Sequence, residues 1–252
     1  RTVNVEQYAS IGNFFEAVCS QYKDKIAYSH DGVKLSYQRL YDYSGYFAAF
    51  LETLGLKKGD RLALMMPNLL QYPVVLYAAL RMGLVVVNIN PLFTSKELLH
   101  ELQDAQPKAI VIFSHFAKTL EAILKDFPSL TIITTDYADL FPTVKRWVSS
   151  FVIKHVMCLV PKYHFKQSIT FSEGLKAGKQ LKFQDTACRL NDLAFLQYTG
   201  GTTGVAKGAM LTHGNMLANV MQTHAWFKPA VKAGEEVLIT PLPIYHIFTL
   251  MV

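Results

Sequence analysis

The stretch Leu84-Val-Val-Val-Asn-Ile89 constrains the fold of this chain more than any other. It is almost continuously apolar and rich in β-branched side chains, so it has no polar face to turn to water. Strands of that kind belong to parallel sheets covered by helices on both sides. Arg61–Met66, Ala109–Phe113 and Leu130–Thr134 are further strand-like runs. Helical patterns lie between them, at Tyr72–Arg81, Thr94–Ala105 and His115–Phe127. Strands alternating with helices predict an α/β fold: layered, mostly parallel sheet flanked by helices. With 252 residues and 51% apolar side chains, core material is ample and disorder is excluded.

Local signals refine the elements. Ser10 caps a helix to Tyr22 with Ile11, Phe14, Phe15 and Val18 on its apolar stripe. Asp31-Gly32 marks a hairpin between Ile26–Ser29 and Val33–Tyr37. Ser36 opens a helix to Leu54 that Gly55 closes, and Thr94-Ser-Lys-Glu97 fits a capping box. Leu62–Leu80 is uncharged and long enough to span a bilayer, but Pro67, Asn68, Gln71 and Pro73 interrupt it; it reads as a buried strand, a turn and a buried helix. His100 and Asp104 sit four apart inside a capped helix and read as a surface pair. Glu235–Thr240 predicts one more strand.

Asp192-Leu-Ala-Phe-Leu-Gln197 reads as a buried strand, and it runs into Tyr198-Thr-Gly-Gly-Thr-Thr-Gly-Val-Ala-Lys-Gly208. Glycines let backbone N–H groups approach a ligand closely. Those donors, the threonine hydroxyls and one ammonium together suit a polyphosphate. The Walker loop Gly-x4-Gly-Lys-Ser/Thr does not fit, because Ala206 and Gly208 stand where its second glycine and its magnesium-binding hydroxyl belong. No dinucleotide fingerprint and no Gly-x-Ser-x-Gly elbow are present, which argues against Rossmann-type and serine-hydrolase chemistry. The formal charge of +6 is spread out, with no Lys/Arg run above two residues, so no nucleic-acid partner is expected. Cys19, Cys158 and Cys188 form neither a disulfide framework nor a zinc site, and a reducing cytoplasm is the simplest setting.

The whole stretch from Asp192 to His213, continuing through Asn215-Met-Leu-Ala-Asn219, resembles the acyl-adenylate-forming enzymes and, within them, bacterial long-chain fatty-acid–CoA ligases. Leu56–Arg61, Met65–Pro73 and Leu159–His164 carry the same resemblance, so it extends over most of the chain. It implies activation of a long-chain fatty acid by ATP with Mg²⁺, followed by transfer to coenzyme A. The resemblance makes Tyr198, Thr199, Gly200, Gly201, Thr202, Thr203, Gly204 and Lys207 the phosphate-binding residues. Thr199 would lie nearest Mg²⁺, and Lys207 would neutralise the departing pyrophosphate. His246, in Pro243-Ile-Tyr-His246, matches a second ATP-site motif near the carboxylate and α-phosphate; Lys207 and His246 are thus the two catalytic candidates. Leu250 stands where some relatives carry an aromatic gate.

Met216, Trp226, Phe248 and Leu250 are candidates for an apolar acyl pocket. Lys145–Lys166 mixes basic and apolar residues all round, and reads either as a buried connector or as a membrane-surface contact on the inner face of the cytoplasmic membrane. The apolar run ending at Val252 is expected of the N-terminal portion of the large adenylate-forming domain, residues 1–252, with a C-terminal lid domain, a magnesium-binding glutamate, a ribose-binding aspartate and a catalytic lysine lying downstream. On that reading the chain alone completes neither half-reaction. A non-catalytic nucleotide- or acyl-binding module, and the same chemistry on a medium-chain or aromatic acid, stay open. A homodimer is compatible with the sequence, which does not decide it.

Overall fold

The computed structural model describes residues 3–143, 145, 149, 161–199 and 206–251. Helix α1 (Ile11–Gln21) starts where Ser10 Oγ accepts the Asn13 N–H at 3.3 Å. Strands β1 (Ile26–His30) and β2 (Val33–Ser36) form the expected antiparallel hairpin, with φ of 46° at Asp31 and 72° at Gly32. Such positive values are what Asp-Gly supplies cheaply. Helix α2 (Tyr37–Thr53) is capped by Ser36, and Gly55 follows it with φ of 81°.

Next come β3 (Arg61–Met65), α3 (Gln71–Arg81), β4 (Val85–Asn88), α4 (Ser95–Ala105) and β5 (Ala109–Phe113). The capping box of α4 is formed in full by Thr94 and Glu97. After α5 (Ala117–Glu121) and β6 (Thr131–Thr135) come β7 (Ile169–Thr170) and α6 (Phe171–Gly178). Strands β8 (Leu193–Thr199) and β9 (Lys207–Thr212) precede α7 (His213–Phe227) and the short α8 (Ile247–Met251).

A seven-stranded sheet in the order β7-β6-β5-β3-β4-β8-β9 is parallel throughout except for β9, which runs antiparallel to β8. Successive residues of its central strands enter opposite cores. Leu62 and Leu64 join one apolar cluster, and Ala63 and Met65 the other. Val86 and Val111 face the first, while Val85, Val87, Ile110 and Ile112 face the second. Helices α1, α2, α3, α6 and α7 cover the first face through residues such as Phe15, Phe47, Val75, Phe171 and Leu217. Leu98, Leu102 and Leu120 of α4 and α5 cover the second. The apolar run at Leu84–Ile89 is therefore explained by helices on both sides.

Close packing of α6 on α2 depends on a missing side chain. A Cβ on Gly178 would lie 1.8 Å from the Tyr46 carbonyl oxygen, so only glycine fits there. Arg81, at the end of α3, is 4% exposed. Its guanidinium donates to both Asp185 carboxylate oxygens at 2.7–3.0 Å, to Tyr41 O and to Ser44 Oγ at 2.8 Å, and lies 4.1 Å from the Tyr41 ring centroid.

Two expectations come out differently. His115–Phe127 is not one helix: α5 keeps five residues, with 3₁₀ turns at Ser114–Phe116 and Leu124–Asp126. The positions that start these pieces, Phe113, Phe116 and Ile123, offer no side-chain acceptor to cap them. Glu235–Thr240 pairs with no strand among the described residues, and Val237 and Ile239 are 90% and 84% exposed. A strand needs a ladder partner as well as strand-forming residues. Most of Lys145–Lys166 lies outside the described residues. No helix among those described is long and apolar enough to cross a membrane, in keeping with the strand–turn–helix reading of Leu62–Leu80.

Candidate active site

Because β3, β4, β5, β6 and β8 run parallel, Met65, Asn88, Phe113, Thr135 and Thr199 end on one edge of the sheet. The chain leaves β4 and crosses β3 to reach β5, which reverses the winding. Ligands of open α/β sheets bind beyond the carboxyl ends at such a reversal. Strand β9 returns antiparallel, so Lys207 arrives at that edge directly opposite Thr199, and Gly208 opposite Tyr198. The threonine hydroxyl and the lysine ammonium are both exposed there. Gly200, Gly201, Thr202, Thr203 and Gly204, which join them, lie outside the described residues.

Tyr198 is half-buried, and its phenol donates a hydrogen bond to the Asp104 carboxylate on α4. Burial, and then that bond, hold the phenol well above the usual tyrosine range. The ring also covers Gly208, where an added Cβ would lie 3.0 Å from Tyr198 Cζ. A side chain at 208 would press on that ring. His100 and Asp104 are indeed at the surface, but Asp104 spends its acceptor on Tyr198.

The segment carrying His246 is tied to the same edge. Asn68, after β3, donates to Leu242 O at 2.9 Å and to Thr240 O at 3.3 Å, and accepts the Ile244 N–H at 2.8 Å. Gln197, two residues before Thr199, donates to Tyr245 O at 3.3 Å. A buried polar chain stands behind it: Tyr72 Oη donates to Asn88 Oδ1 at 2.7 Å, and Asn88 Nδ2 to Gln197 Oε1 at 3.2 Å. His246 is exposed at this edge, its Nδ1 accepting the Phe248 N–H at 3.4 Å. Thr199, Lys207 and His246 thus converge by topology on one side of the sheet. Sequence reasoning missed the Tyr72–Asn88–Gln197 chain; its one signal was a lone asparagine inside the valine run.

Other singled-out residues separate. Met216 is buried in the first core, whereas Trp226 and Phe248 are 85% and 61% exposed and Leu250 is half-buried. His213, part of the motif carrying the resemblance, is a structural staple: its Nδ1 accepts the Ile11 N–H at 3.2 Å, and burial pushes its pKa down to about 4. No group of three His, Cys, Asp or Glu side chains among the described residues is placed to hold a metal ion.

Glu101 is 2% exposed, and its Oε1 has no hydrogen-bond partner among the described residues. Burial, with Asp104 nearby, pushes its carboxyl up to about 8 from 4.5. A raised acid pKa gives stability that is full below 4.5 and is lost as pH rises through 8. Glu101→Gln is therefore expected to be more stable than the parent at pH 8–9, by up to about 5 kcal/mol, with the gap shrinking towards pH 5. Urea unfolding across that range checks it; a gap independent of pH would refute the assignment.

The chain is similar to known proteins over nearly all of its length. The model of the family described as "AMP-binding enzyme" matches residues 15–252. The chain is 48% identical over 249 residues to the long-chain-fatty-acid–CoA ligase of Salmonella typhimurium, covering 98% of this chain and 44% of that protein. It is 35% identical over 241 residues to the ligase of the same name from Bacillus subtilis, covering 92% and 41%. It thus spans less than half the length of these relatives. A crystal structure of a long-chain-fatty-acid–CoA ligase from Archaeoglobus fulgidus superposes with a TM-score of 0.74 at 20% identity, over 96% of this chain and 44% of that one, which shows the fold. With Lys207 set opposite Thr199 at the end of the ladder and a family match over nearly the whole sequence, the chain belongs to the AMP-binding enzymes.

Proposed function

We propose that this chain is the N-terminal portion of the large domain of an AMP-forming long-chain fatty-acid–CoA ligase, and that its sheet edge holds ATP. The observation that carries this is the ladder end at Thr199 and Lys207, which presents a hydroxyl and an ammonium on either side of the Gly-Gly-Thr-Thr-Gly segment. The donors there are neutral or positive, which suits phosphate oxygens. The acid class follows from the similarity to long-chain ligases, and ATP and coenzyme A as substrates imply the cytoplasm.

In the first half-reaction a carboxylate oxygen of the fatty acid attacks the α-phosphorus of ATP, and pyrophosphate leaves. In the second, the thiolate of coenzyme A attacks the acyl carbon, and AMP leaves. Mg²⁺ supplies charge neutralisation on the phosphates. Backbone N–H groups of Gly200, Gly201 and Gly204 and the hydroxyls of Thr202 and Thr203 would hold the β- and γ-phosphates. Thr199 is the residue assigned nearest the metal. Lys207 offsets the charge that collects on the departing pyrophosphate. His246, on the segment tied down by Asn68 and Gln197, is assigned to the carboxylate and α-phosphate.

Exchange of labelled pyrophosphate into ATP tests the reading. The whole ligase is expected to exchange only with a long-chain acid and Mg²⁺ present, and residues 1–252 alone are expected not to. Release of ADP and phosphate instead would overturn it.

A further inference from the structure

Tyr198 touches three parts of the site at once. It is the last residue of β8 before Thr199, its ring covers Gly208 on the opposite stem, and its phenol donates to Asp104. Asp104 lies 94 residues away in sequence, on a helix fixed independently of the loop. Thr94 and Glu97 cap the start of α4, and Leu98 and Leu102 are fully buried in the second core. One hydrogen bond thus refers both stems of the phosphate loop to a rigid element.

We propose that Asp104 is a positioning residue for the phosphate loop: by holding the Tyr198 phenol, it fixes the spacing and orientation of Thr199 and Lys207. This rests on the assignment of the loop to ATP. The sign of the effect separates it from simple electrostatics. A carboxylate near a polyanion site repels its ligand, so removing a merely surface charge would tighten ATP binding. Removing a positioning acceptor loosens it instead. Asparagine is the informative replacement, since it drops the charge but keeps an acceptor oxygen.

The experiment is equilibrium binding of MgATP to the protein and to the variants Asp104→Ala, Asp104→Asn, Tyr198→Phe and Asp104→Ala/Tyr198→Phe. Asp104→Ala and Tyr198→Phe are each expected to weaken binding about tenfold, the scale of one charge-assisted hydrogen bond. The double variant is expected to be no weaker than either single one, and Asp104→Asn to stay within about threefold of the parent. Amide exchange in peptides spanning 199–207 should rise in the alanine and phenylalanine variants while peptides from α4 and β5 stay unchanged, which separates loop release from unfolding. Unchanged or tighter binding by Asp104→Ala, or additive losses in the double variant, would overturn the positioning role alone. Failure of the unsubstituted protein to bind MgATP would overturn the phosphate-loop assignment and this proposal with it.

Discussion

Replacing Lys207 by alanine is expected to lower pyrophosphate–ATP exchange by the whole ligase by about 10²–10³-fold, the usual effect of removing one preorganised charge-stabilising donor. The physical reason is position. Lys207 is the first residue of the edge strand β9, opposite Thr199, and is exposed, so its ammonium can meet a phosphate without breaking any packing. The same exposure predicts little loss of stability, within about 0.5 kcal/mol. Lys207→Arg should recover part of the activity, since it keeps the charge but presents a planar fork rather than a compact ammonium. Exchange assays beside thermal melts measure both quantities. Near-parental exchange by the alanine variant would remove Lys207 from the mechanism.

The largest loss of stability is expected at a residue with no part in the chemistry. Arg81→Ala should destabilise the fold by about 3–5 kcal/mol, because it removes a buried cation and leaves its partners unsatisfied. Arg81 is 4% exposed and bridges α3 to Tyr41 and Ser44 of α2 and to Asp185. Its carbonyl also accepts the Thr186 N–H at 2.9 Å, which fastens the segment leading into β8. Arg81→Lys should restore little, since a single ammonium reproduces neither the two-oxygen contact with Asp185 nor the stacking on Tyr41. Asp185→Asn should cost less, because that carboxylate is 28% exposed and water can replace part of its pairing. Urea unfolding of the three variants ranks them; equal losses at all three would show that the bridge carries no special weight.

Much of the architecture was legible from local chemistry. The Ser10, Ser36 and Thr94 caps, the Asp31-Gly32 turn and the Gly55 stop each act within a few residues, and each is found in place. The helix expected over His115–Phe127 is split into a short α-helix between two 3₁₀ turns, and none of the three pieces has a side-chain cap. The strand expected at Glu235–Thr240 failed because pairing is a property of two segments, and no strand pairs with it among the described residues.

The site divides the same way. The sequence by itself determined the donor set at Tyr198–Lys207 and the strand leading into it, because phosphate binding needs particular groups at close spacing along one chain. Only the tertiary structure decided that Lys207 stands opposite Thr199, that Gln197 and Asn68 bring His246 to the same edge, and that Tyr198 reports to Asp104. Apart from the Thr199–Lys207 pairing, those relations join residues tens to nearly two hundred positions apart. Side-chain reach, strand register and the order of strands in the sheet set them, and none of these is written in any local run of residues.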